Sequence, residues 1–121
     1  MSSLSNEEIY REIGKITATY ELLECYECVE AIVNWLKENG VKGQIVRIQT
    51  SEGEDYIMSK RLEYLNINES ITLNGTHYGV EIKSKIFDNL STNGLTKEEW
   101  FNDFICPSGD FVITNIDIIS K

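Results

Sequence analysis

Two cysteines three positions apart, Cys25 and Cys28, share the chain with a single histidine, His77, and with an aspartate close behind it, Asp88. A thiol, an imidazole and a carboxylate are the parts of a thiol hydrolase. The histidine takes the thiol proton and later returns it to the leaving group, while the carboxylate orients the ring and stabilises its cation. The thiolate is the nucleophilic form of cysteine, and it is favoured at the start of a helix, where unpaired amides and the helix dipole attract an anion. The elements around these residues must therefore be read for whether they can bring the three groups together.

Behind the CxxC, Cys28, Ile32, Trp35 and Leu36 recur at helical spacing. Asn39-Gly40 supplies a stop, since glycine reaches the left-handed C-terminal conformation without a Cβ clash. The stretch predicts a buried amphipathic helix with a thiol at its N-terminus. Cys25 is nearer the helix start, is followed by an aromatic residue and gains most from the dipole, so it is the first candidate nucleophile. Cys28 lies one turn inside, in line with Ile32 and Trp35, and reads more as core; it stands as the alternative nucleophile. The backbone amide of the nucleophile is the expected oxyanion donor, with a second donor from a side chain that the sequence does not identify.

Asn74-Gly75 marks a turn, and residues 76–83 then alternate, with Tyr78, Val80 and Ile82 on one face and His77, Gly79 and Glu81 on the other. His77 is thus expected on the polar side of a strand, with Gly79 leaving room in front of the sheet. Residues 85–89 read as the next strand of a hairpin. A two-residue turn at Lys83-Ser84 sets Asp88 opposite Gly79 and Phe87 opposite Val80. His77 and Asp88 then become diagonal neighbours roughly 7–8 Å apart at the backbone, within side-chain reach. A four-residue loop keeps them on one face and a three-residue loop does not; the even loop is preferred because it buries Phe87 and Val80 together. Asn89 either supports this group or serves as a turn or capping residue.

Other readings compete. Cys25, Cys28, His77 and Cys106 could hold a structural zinc through three thiolates and one imidazole, although the last two ligands stand alone on distant elements. A CxxC at a helix start is also the thioredoxin-like redox arrangement, but that fold wants a βαβ unit before the helix and a proline facing the dithiol. Here a helix precedes the motif and the single proline is Pro107. A non-enzymatic interaction module, with buried cysteines and a structurally satisfied histidine, predicts that alanine at Cys25, Cys28 and His77 leaves every phenotype unchanged.

With 121 residues, 41% of them hydrophobic, and one proline, the chain suits a single domain over residues 1–121 with a real core. Its formal net charge of -9 argues against nucleic acid or an anionic membrane as the main partner, because phosphate binding needs clustered Lys and Arg. The first five residues lack a charged n-region and an apolar h-region, and no apolar run is long enough to cross a membrane. With three cysteines, an odd count, the expectation is a reduced, cytosolic setting. Ser5 and Glu8 form a capping box that opens a helix near residues 6 to 19, with Ile9, Ile13 and Ile16 as its apolar stripe. Residues 41–50 predict a strand, 56–59 a short one, and 60–70 remain unassigned. Thr96 and Glu99 open a short helix carrying Trp100, Phe101 and Phe104, and residues 111–116 form a last strand. Helices first and strands afterwards predict an α+β fold with a mostly antiparallel sheet.

At these same residues the sequence resembles the papain-fold toxin domains, close to the group called papain fold toxin 2, which are C-terminal effector modules of bacterial polymorphic toxins. The resemblance rests on Glu24-Cys25-Tyr26-Glu27-Cys28 leading into Ala31-Ile32 and Trp35-Leu36, then Gly40 and Gly43. It continues through Asn74-Gly75-Thr76-His77-Tyr78-Gly79, Phe87-Asp88-Asn89, and Gly94-Leu95 before Glu98-Glu99-Trp100, spanning about residues 20 to 105. It departs at Val29, where a small residue such as alanine is expected. The resemblance implies a papain-like fold and a triad of a CxxC cysteine, His77 and Asp88, with no cofactor and no metal. It implies a protein glutamine deamidase or a cysteine peptidase, working through a thioester on a protein substrate. It further implies delivery into a target cell's cytoplasm as part of a larger secreted toxin, and a cognate immunity protein as partner.

Overall fold

The computed structural model describes residues 4–118. The reading of the amino terminus rests in part on residues 1–3, which lie outside the described residues.

Two helices lead: α1 (Asn6–Thr17) and α2 (Cys25–Asn39). The α1 capping box forms as expected, with the Ser5 hydroxyl accepting from the Glu8 amide at 3.1 Å and the Glu8 carboxylate accepting from the Ser5 amide at 2.9 Å. α2 ends at Gly40, which takes φ 63° in the left-handed region. The rest is mostly strand: β1 (Gln44–Thr50), β2 (Met58–Ser59), the short α3 (Lys60–Tyr64), β3 (Thr76–Ile82), β4 (Lys85–Asp88), β5 (Ser91–Leu95), α4 (Lys97–Asp103), β6 (Phe104–Ile105) and β7 (Phe111–Asp117). Five strands form an antiparallel sheet in the order β5-β4-β3-β1-β7, and β2 pairs with β6 in a separate two-stranded ribbon. Among the described residues no helix is long and apolar enough to cross a membrane.

β3 is the middle strand, and both of its faces are covered. On one face α1 and α2 bury Ile9, Ile13, Cys28, Val29, Ile32 and Leu36 against Val80, Ile82 and Phe87. On the other, α4 and the β2–β6 ribbon bury Trp100, Phe104 and Ile57 against Val46, Ile48 and Ile86. This corrects one expectation. His77 does share a face with Gly79 and Glu81, but that face is no open polar surface, since His77 is 0% exposed. Nor does Gly79 leave an empty space. A Cβ there would lie 2.9 Å from the Trp100 ring and 2.8 Å from Ile86, so glycine is what lets the indole lie flat on the strand. Alternation on a central strand tells the two faces apart without saying which of them meets water.

The β3–β4 hairpin has the two-residue loop: Val80 pairs with Phe87 and Ile82 with Lys85, leaving Lys83 and Ser84 as the turn. Both have positive φ, 49° and 76°, as the mirror-image hairpin turn requires, though neither is a residue that favours it. With that register Asp88 is the next residue of β4 beyond the Val80–Phe87 pair, toward Gly79 and His77. Three elements went unforeseen. β5, the segment Ser91-Thr92-Asn93-Gly94-Leu95, has no counterpart in the sequence reading, and α3 falls in the stretch left unassigned. The third is β6: Phe104, expected on the helix with Trp100 and Phe101, turns to an extended backbone (φ -101°, ψ 143°) once α4 ends at Asp103, and pairs with β2.

Candidate active site

The site assembles where α2 begins and β4 ends. Cys25 is the first residue of α2. The helix's N-cap, Glu24, makes no side-chain cap; its carboxylate instead accepts from the Glu21 amide at 2.7 Å. The first amides of the helix are therefore free of a capping side chain, which leaves their partial positive charge beside the Cys25 sulfur. The Tyr78 backbone amide also acts on that sulfur, favouring its charged form.

His77 is wholly buried, with its ring 5.8 Å from Trp100 in a stacked arrangement and 5.1 Å from Phe104. Its Nε2 lies 2.8 Å from Asp88 Oδ2. Nδ1 has no partner of ordinary hydrogen-bond geometry, yet the ring interacts with the Cys25 thiol. With Nε2 committed to Asp88, Nδ1 is the nitrogen that remains for Cys25. Asp88, also 0% exposed, is held on both oxygens: Oδ2 accepts from Trp100 Nε1 at 2.8 Å as well as meeting His77, and Oδ1 accepts from the Leu90 amide at 2.9 Å. A buried carboxylate needs such partners, because leaving one unmet is expensive in a low dielectric.

The electrostatics follow from these contacts. Burial pushes the Cys25 thiol up, but the neighbouring His77 ring and its charge, with the Tyr78 amide, outweigh it and hold the thiol below its ordinary value. Burial opposes charge on His77 as well; Asp88 and Cys25 together overcome it and raise the imidazole from 6.5 to about 9. For Asp88, burial works upward, and the bonds to His77, Trp100 and Ser91 bring its carboxyl below the usual range. Each shift is toward the charged form of its group: thiolate for Cys25, imidazolium for His77 and carboxylate for Asp88.

Cys28 has the opposite character. Fully buried among the apolar residues between α1 and α2, it is pushed up to about 12, first by burial and then by the charges of Asp88, Cys25 and Glu24. A thiol there stays protonated. Cys106 is elsewhere. It follows β6, and its sulfur meets Ser108 Oγ at 3.5 Å and the Asp110 carbonyl at 3.4 Å. The four-ligand zinc set of Cys25, Cys28, His77 and Cys106 is therefore not assembled, and among the described residues no group of three or more His, Cys, Asp or Glu could hold a metal ion. Pro107 lies in the turn beside Cys106.

Two residues that the sequence left without a clear role complete the site. Trp100 covers His77 and donates to Asp88; its place on a capped helix carried no sign of that contact. Asn89 donates from Nδ2 to the Glu21 carbonyl at 2.8 Å, tying the turn after β4 to the loop that enters α2. A groove of about 310 Å³ opens beside Cys25 between the start of α2 and the segment before β3, lined by Leu23, Tyr26, Glu27, Leu73, Asn74 and Tyr78 among others. Cys25 is 7% exposed, whereas the imidazole behind it is sealed from solvent.

A family model described as papain fold toxin 2 matches residues 8–105. No curated protein and no solved structure matches the chain.

Proposed function

The chain belongs to the papain fold toxin 2 family, and from that premise we propose that it is a toxin effector that hydrolyses an amide in a protein of the target cell. Residues 1–121 act as one papain-like unit. The observation that carries this is the continuous polar chain Cys25–His77–Asp88, fixed by the 2.8 Å contact between His77 Nε2 and Asp88 Oδ2.

The Cys25 thiolate attacks the carbonyl carbon of the substrate amide. The oxyanion forms against the free amides at the start of α2. The C–N bond breaks as His77 Nδ1–H gives its proton to the departing nitrogen, leaving a thioester on Cys25. Water then attacks the thioester; His77 takes its proton, the C–S bond breaks, and the carboxylic acid and the thiolate are released. Asp88 keeps Nδ1 turned toward sulfur throughout by holding the opposite nitrogen. Cys28 is not the nucleophile: a thiol held near 12 in an apolar core supplies almost no thiolate at neutral pH.

Both a peptide bond and a glutamine side chain pass through this acyl-enzyme, so the reaction class covers peptidase and deamidase. The substrate is a protein met after delivery as part of a larger toxin, and an immunity protein is the expected second partner. No cofactor is needed for any step. The test is expression of the wild type beside Cys25→Ala, Cys28→Ala and His77→Ala in a sensitive cell. The expected result is growth inhibition by the wild type and Cys28→Ala alone. Intact-mass analysis of candidate targets then reads a gain of roughly one mass unit for deamidation or a shortened chain for proteolysis. Unchanged toxicity in Cys25→Ala and His77→Ala would mean a non-enzymatic interaction module instead.

A further inference from the structure

The mechanism uses one thiol of the CxxC and leaves the other without a role. Cys25 lies at the first position of α2 and borders the groove, so a small oxidant can reach it. Cys28 is three residues on, on the same side of the helix, 0% exposed and shielded from direct attack. Both are free thiols. We propose that Cys25 and Cys28 form a reversible disulfide that switches the nucleophile off, with Cys28 as the resolving thiol.

The oxidant is a peroxide. The Cys25 thiolate displaces hydroxide from hydrogen peroxide, its sulfur is oxidised to a sulfenic acid and the peroxide is reduced. The Cys28 sulfur then attacks that sulfur, an S–S bond forms, the S–O bond breaks, and the Cys28 proton leaves with the hydroxide as water. The first step removes the negative charge of Cys25, one of the charges that hold Cys28 protonated, and so eases the second. Two equivalents of an external thiol reverse the bond by exchange.

Geometry permits the bond and explains its effect. Residues at i and i+3 of a helix have Cβ atoms about 5–6 Å apart, whereas a disulfide needs about 3.5–4.5 Å. The first turn must therefore tighten by roughly 1–2 Å. No side-chain cap from Glu24 holds that turn, and Leu23 just before it stands at φ 75°. Movement toward Cys28 takes the Cys25 sulfur away from His77 and ties up its lone pair. Outside cells the bond persists; in a reducing cytosol it opens. The device rests on the proposed function only for that consequence, since the disulfide itself is read chemically.

The experiment treats the whole wild-type chain with hydrogen peroxide and maps its cysteines by digestion and mass spectrometry. The expected product is a Cys25–Cys28 cross-link with Cys106 free. Iodoacetamide labelling of Cys25 should fall roughly tenfold or more and return with dithiothreitol. A Cys25 sulfinic or sulfonic acid beside a Cys28 thiol, or a cross-link through Cys106, overturns the proposal. Cys28→Ala should label at Cys25 like the wild type before oxidation and pass to the sulfinic acid on prolonged exposure; full recovery by dithiothreitol in that variant also overturns it. These outcomes are independent of toxicity in Cys25→Ala, so this proposal and the proposed function fail separately.

Discussion

The two faces of the central sheet are built to opposite rules. On the α1–α2 side, Ile9, Ile13, Ile32, Leu36, Val80 and Ile82 make an apolar core in which Cys28 is one more small hydrophobe. On the α4 side the core contains a histidine and an aspartate at 0% exposure, joined by the Trp100 indole and roofed by Phe104. Cys25 stands where the two meet, carried by a helix of the first face and set against His77 of the second. The contrast teaches that a carboxylate can be buried in a core when fixed donors meet both of its oxygens. It also teaches that two cysteines one turn apart acquire opposite chemistry from what surrounds them, since one thiol is lowered and the other is raised to about 12.

Substitutions on each face should therefore fail differently. Asp88→Asn keeps the shape but offers His77 no charge and the wrong tautomer. It is expected to reduce target modification by about 10⁴-fold, the scale seen when a triad carboxylate is neutralised, with a smaller change in denaturation midpoint. Leu36→Ala, on the apolar face, should do the reverse. It should cost about 2–5 kcal/mol of stability in urea unfolding and leave the iodoacetamide reactivity of Cys25 unchanged. An equal loss of reactivity would mean that the faces are not separable. Trp100→Phe removes one donor to a buried carboxylate. It is expected to cost about 1.5–3 kcal/mol, to raise the Asp88 carboxyl, and to slow target modification roughly tenfold.

Much of this division was legible in the chain. The spacing of Cys28, Ile32 and Leu36 fixes the buried stripe of α2, and Gly40 its end. The pairing of Phe87 with Val80 follows from the need to bury both, and that register brings Asp88 within reach of His77. What stayed hidden depends on long-range contact. Nothing local says that α4 folds back over His77, so a residue read as facing open space is sealed. β5 goes unrecognised because Ser91-Thr92-Asn93-Gly94 has turn chemistry, and its place in the sheet comes from pairing with β4 and packing under α1. There a Cβ on Gly14 would lie 2.6 Å from the Thr92 carbonyl. The zinc reading, argued from residue types, lost to the placement of Cys106 after β6.

The central claim is that His77 makes Cys25 a thiolate, and the pH profile of Cys25 alkylation by iodoacetamide tests it most directly. In the wild type, reactivity should rise with pH through a midpoint below that of an ordinary thiol. It should then hold steady as His77 loses its proton near 9, since alkylation needs only the thiolate. In His77→Ala, burial is no longer opposed by the imidazolium, so the midpoint should move up. Superimposable profiles for the two proteins, both centred at or above the ordinary thiol value, would contradict the account.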